Sequence, residues 1–96
     1  MALLSMSDVE EKLNSLPGWQ LAGREIVCDR KFANFTEAMD FVNLVAEKAD
    51  AANHHPDIDI RYDKVRLALV SHDAGGLTQR DFDLAAAINS LPPKQV

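Results

Sequence analysis

The chain has 96 residues, of which 47% are hydrophobic and 26% charged, and its formal net charge is −5. This is the size and composition of one globular domain, 1–96, and it excludes a chain that is disordered over most of its length. The acidic balance excludes a direct nucleic-acid binder working through a basic face, because phosphate contacts need clustered Lys and Arg. The first helix signal is Ser7-Asp8-Val9-Glu10, a capping box with Ser7 as N-cap. Val9, Leu13 and Leu16 come next at helical spacing, and Pro17-Gly18 stops the run. Trp19 and Leu21 then alternate with polar neighbours, Gly23-Arg24 offers a turn, and Ile26 to Phe32 reads as a second strand. Thr36 is placed to cap a second helix whose stripe is Ala38, Phe41, Val42, Val45, Ala49 and Ala52. That helix ends near Asn53, because Pro56 biases His55 away from helical dihedrals. Ile58, Ile60 and Tyr62 form one face of a third strand, Asp63-Lys64 makes the connection, and Val65, Leu67 and Leu69 continue the apolar face. After Ala74-Gly75-Gly76, Thr78 caps a third helix with Asp81 at its third position, and Phe82, Ala85, Ala86 and Ile88 supply its apolar side. Leu91-Pro92-Pro93 ends it, and the tail beyond is expected to fray.

The element order is α-β-β-α-β-β-α. One apolar sheet face needs a cover and the helix stripes supply it, so the fold class is α+β: a two-layer sandwich of a four-stranded antiparallel sheet and three helices. The uncovered sheet face or an edge strand is a candidate contact between subunits, and a domain this small gains stability from self-association. Cys28 is the only cysteine, so no disulfide can close within the chain. No run reaches the length that crosses a bilayer, and Met1 to Met6 lacks the leading charge of a signal peptide. A cytoplasmic protein without membrane contact is expected.

Three histidines carry the chemical interest. His54 and His55 sit between a helix end and a strand start, and His72 sits just past the end of the strand that pairs with it. A hairpin brings one strand's start beside the other's end, so all three belong at one end of the sheet. Imidazole titrates near neutral pH, so such a group can protonate a leaving oxygen and take a proton from a neighbouring atom. A three-histidine zinc site is the rival reading, but adjacent residues of an extended chain point to opposite sides. The plain alternative is three histidines serving as loop and surface residues.

Asp50, three residues, His54-His55-Pro56, five residues, Tyr62, nine residues, His72, eight residues and Asp81 together resemble the signature of the pterin-4a-carbinolamine dehydratases. Gly18-Trp19, the phenylalanines Phe32, Phe35 and Phe41, and Gly76-Leu77-Thr78 resemble family features too, so the likeness extends over most of the chain. It departs at Ile58, where many relatives carry an aromatic residue, and at Asp50, where Glu is common. The resemblance implies dehydration of 4a-hydroxytetrahydropterin to the quinonoid dihydropterin, which recycles the cofactor of aromatic amino-acid hydroxylases. It implies no metal and no organic cofactor, since the pterin is the substrate. His54, His55 and His72 become pterin-binding and acid–base residues, with His55 and His72 expected as the acid–base pair and His54 as the positioning residue. Asp81 becomes the acidic group that orients a histidine, and Pro56, Ser71, Asp73 and Ala74 line the pterin pocket. The resemblance also implies a homodimer or homotetramer. The alternative it carries is a non-catalytic pterin binder or a coactivator-like dimerisation partner of a transcription factor.

Overall fold

The computed structural model describes residues 2–92. In chain order the elements are α1 (Met6–Asn14), β1 (Trp19–Ala22), β2 (Glu25–Lys31), α2 (Phe35–Ala52), β3 (Asp57–Arg61), β4 (Lys64–Leu69) and α3 (Gln79–Asn89). The strands form one antiparallel sheet, as expected, and their order in it is β1-β2-β4-β3. Trp19, Ile26, Cys28, Val65, Leu67 and Leu69 are buried on one sheet face. Ala38, Phe41, Val42, Val45 and Ala49 of α2 and Phe82, Leu84, Ala85 and Ile88 of α3 pack with them in a single core. The other face carries Val27 and Ala68 but is otherwise mostly polar: Asp29, Arg66 and Asp59 are aligned across three strands, and Arg66 grips Asp29 through two bonds of 2.8 and 3.0 Å.

Several local expectations are corrected. α1 begins two residues early, with Ser5 rather than Ser7 as N-cap; the Ser5 hydroxyl accepts the Asp8 N–H at 3.1 Å. Ser5 has an acid three residues on just as Ser7 does, and the bond from Leu4 N–H to Leu77 O (2.9 Å) holds the chain extended just before it. α2 is capped by Asn34, not Thr36: the Asn34 backbone is extended and its Oδ1 accepts the Glu37 N–H at 2.9 Å. Ala52 and Ala86 are exposed, whereas Leu84, absent from the expected stripe, is buried. The β3–β4 connection is Tyr62-Asp63, because Lys64 pairs with both Arg61 and Lys31. Tyr62 therefore leaves the Ile58–Ile60 face; it is exposed and takes a left-handed φ of 55°. Pro93 and the tail lie outside the described residues.

The end of α2 aims His54 into the fold. Asn53 is left-handed (φ 51°, ψ 43°), its N–H bonds Asp50 O at 3.2 Å, and His54 N–H bonds Ala49 O at 3.1 Å. These two bonds are a Schellman closure, in which Asn is one of the few residues that tolerates the turn. It stops the helix and turns His54 toward the core, and Pro56 then keeps the chain extended into β3.

Candidate functional site

Asp81 stands in the first turn of α3 and is fully buried. Its Oδ1 lies 2.5 Å from His54 Nε2. Its Oδ2 accepts the Ser71 hydroxyl and the Thr78 backbone N–H, each at 2.9 Å. Ser71 Oγ has one hydrogen and gives it to Asp81, so the 2.8 Å bond between Ser71 and Thr78 runs from the Thr78 hydroxyl to Ser71. Both oxygens of the buried carboxylate thus face donors, which is the condition for keeping it inside. A carboxylate opposite Nε2 assigns the ring hydrogen to that nitrogen and leaves Nδ1 with the lone pair in the neutral ring. No side chain among the described residues occupies Nδ1. Nor is it sealed away, because the one sealed side-chain nitrogen or oxygen without a partner among the described residues is Arg80 Nε. Nδ1 is therefore the ring nitrogen of His54 left without a side-chain partner among the described residues.

His55 points the other way, as alternation in an extended segment requires. Its Nε2 meets Asp50 Oδ1 at 2.9 Å in an exposed pair. Its start-of-strand position lies beside the end of β4, since Asp57 pairs with Ala68. His72 sits after β4 in a turn, exposed and with no side-chain hydrogen bond of its own among the described residues. The backbone therefore brings His54, His55 and His72 to one end of the sheet. Side-chain bonds join His54 with Ser71, Thr78 and Asp81, and His55 with Asp50; among the described residues none joins the three imidazoles to one another. Asp73 bonds Arg80 Nη2 at 2.5 Å, and this guanidinium holds the Asp73 carboxyl below the usual carboxylate range. Pro56 and Ala74 are half-buried beside the histidines in sequence. The Ser71 hydroxyl is wholly buried and committed to Asp81 and Thr78. Among the described residues no group of three or more His, Cys, Asp or Glu is arranged to hold a metal ion, and no helix is long and apolar enough to cross a membrane.

A hollow of about 900 Å³ lies at the opposite end of the sheet, where Arg30, Phe32, Phe41, Leu44, Asn89 and Pro92 line it. It holds none of the predicted site residues. Convergent polar and titratable groups mark a site better than volume does, and those groups are at the histidine end. Sequence reasoning missed Thr78 and Arg80 as parts of that end. The buried polar position 71 had a signal: Val65, Leu67, Leu69 and Ser71 alternate inward, and an inward hydroxyl needs a buried partner.

The profile of the family described as Pterin 4 alpha carbinolamine dehydratase matches residues 2–91. The chain belongs to this family. A protein of Acidobacterium capsulatum named for the same dehydratases is 63% identical over 91 residues, covering 95% of this chain and 99% of that protein. One from Chloroflexus aurantiacus is 55% identical, covering 95% and 98%. A crystal structure described as a transcriptional coactivator/pterin dehydratase from Brucella melitensis superposes with a TM-score of 0.88 at 31% identity, covering 93% and 97%. A pterin dehydratase-like protein described as a RuBisCO assembly factor shares the fold, with a TM-score of 0.61 at 16% identity.

Proposed function

We propose that this protein is a hydro-lyase that removes water from 4a-hydroxytetrahydropterin and gives the quinonoid dihydropterin. The observation that carries the reading is the buried Asp81–His54 pair set at the same end of the sheet as two exposed histidines, in a member of a family named for this reaction. The substrate carries a hydroxyl on C4a beside the N5–H. In the step, the C4a–O bond breaks as a proton reaches the oxygen and water leaves. The N5 proton goes to a base, and the C4a–N5 double bond forms. One acid and one base suffice, and no metal or organic cofactor enters.

His55 and His72, both exposed, exchange these protons, and each such group contributes about 10²- to 10⁴-fold. His54, fixed by Asp81, presents Nδ1 to the pterin and positions it. Pro56, Asp73, Ala74 and the Ser71 backbone border the flat ring, whose edge of donors and acceptors suits loop groups. The product is reduced elsewhere, so the protein serves enzymes that consume reduced pterin, the aromatic amino-acid hydroxylases. We place it in the cytoplasm as a homodimer or homotetramer, which light scattering of the purified protein tests.

A second reading is favoured by the Brucella structure, whose description pairs a coactivator with a dehydratase: pterin binding or partner dimerisation without turnover. The decay of freshly generated 4a-hydroxytetrahydropterin, measured by ultraviolet absorbance, separates the two. Acceleration by the protein, lost in His55→Ala, is the expected result. Folded protein that leaves the decay rate unchanged overturns the dehydratase reading and brings the binding role forward.

A further inference from the structure

His72 lies in the turn 71–76 between β4 and α3. The turn is closed at its base, where Ser71 N–H bonds Gly76 O at 3.0 Å and Gly76 N–H bonds Ser71 O at 3.2 Å. Gly75 takes a φ of +80°, which a side-chain-bearing residue adopts only at a cost. The His72 ring has no hydrogen bond of its own among the described residues, so its position is that of the turn. Two arginines reach the turn from outside. Arg24, in the β1–β2 connection, donates Nη2 to Gly75 O at 2.6 Å, and Arg80, in the first turn of α3, donates Nη2 to Asp73 Oδ1 at 2.5 Å.

Arg80 is held unusually. Its side chain is 26% exposed and Asp73 is 67% exposed, while Arg80 Nε is sealed from solvent with no acceptor among the described residues. A buried donor left unmade is unfavourable, and an ion pair with one exposed partner returns little stability. Stability alone therefore does not account for this guanidinium. Its location does: it grips the residue next to His72 from the helix that also carries Asp81. The Asp73 carboxyl, held low by Arg80, stays charged around neutral pH, so the grip persists where the reaction would run.

We propose that Arg80 is a positioning residue which, through its ion pair with Asp73, fixes the turn that presents His72. The proposal rests on the dehydratase reading for its kinetic consequence but not for its structural one. It is tested with Asp73→Asn, Arg80→Gln, the double variant and the conservative Arg80→Lys, by steady-state dehydration kinetics and by NMR of ¹³C-labelled histidine. We expect kcat to fall about tenfold in either single variant and no further in the double, with KM within about twofold in Arg80→Gln, since misplacement rather than lost binding is the defect there. Arg80→Lys recovers most of the rate. The His72 ring signal shifts or broadens in Asp73→Asn while the His54 signal stays. An unmoved His72 signal and an unchanged kcat in Asp73→Asn overturn the proposal, and the exposed Asp73 makes that variant informative even if Arg80→Gln fails to fold. If the wild type lacks turnover, the dehydratase reading fails, and the NMR comparison alone decides the clamp.

Discussion

His54 and His55 are adjacent, and each meets an aspartate oxygen through Nε2, yet the two pairs sit in different solvents. The His54–Asp81 side chains are 8% and 0% exposed, whereas those of His55–Asp50 are 60% and 79% exposed. In the first pair the low local dielectric strengthens each bond, and Ser71 and Thr78 fix the carboxylate from behind. In the second, water and salt compete for both partners. The same two residue types thus give one rigid imidazole and one free to move.

Breaking the buried pair should have the largest effect. Asp81→Ala leaves His54 Nε2, the Ser71 hydroxyl and the Thr78 N–H without their acceptor. We expect it to lower unfolding stability by about 1–3 kcal/mol for each buried donor left without an acceptor, measured by urea denaturation. An unchanged urea midpoint would show that the network is not what holds this end together. His72→Ala comes next. It should reduce the dehydration rate by about 10²- to 10⁴-fold and leave the urea midpoint where it is, because the ring is exposed and unbonded among the described residues. Asp50→Asn should be milder: the exposed pair contributes about 0.2–1 kcal/mol, or up to about fivefold in rate. High salt should mimic that loss in the wild type and leave the His54–Asp81 bond intact, since screening acts on exposed charges. The smallest effect is the pH dependence of stability that comes from Asp73, whose carboxyl lies below its ordinary value because Arg80 bonds it. Its share of stability is present above the unfolded value of about 3.9 and is lost as pH falls through the lower folded value. A carboxyl NMR titration of Asp73 that matched a free aspartate would contradict that pairing.

The two kinds of pair were not equally readable in advance. Strand alternation from Ile58 to Leu69 and the helix stripes are local and periodic, so they foretold the antiparallel hairpins and the covered face. They also placed the three histidines at one end. The starts of α1 and α2 lie two residues before the expected caps because Ser5 and Ser7, or Asn34 and Thr36, compete at nearly equal spacing and the backbone just before the helix decides between them, whereas Thr78 caps α3 as expected. The link from His54 to Asp81 spans 27 residues, and only the family resemblance suggested it. Nothing local shows which way the Arg80 side chain turns, because that depends on where the 71–76 turn packs against α3.

The most direct measurement is kcat for 4a-hydroxytetrahydropterin dehydration in Asp81→Asn and Asp50→Asn side by side, each verified as folded by circular dichroism. The account predicts a loss of about 10² or more in the first, where the histidine loses its orienting carboxylate, and of no more than about fivefold in the second. Equal losses, or full activity in folded Asp81→Asn, would contradict it.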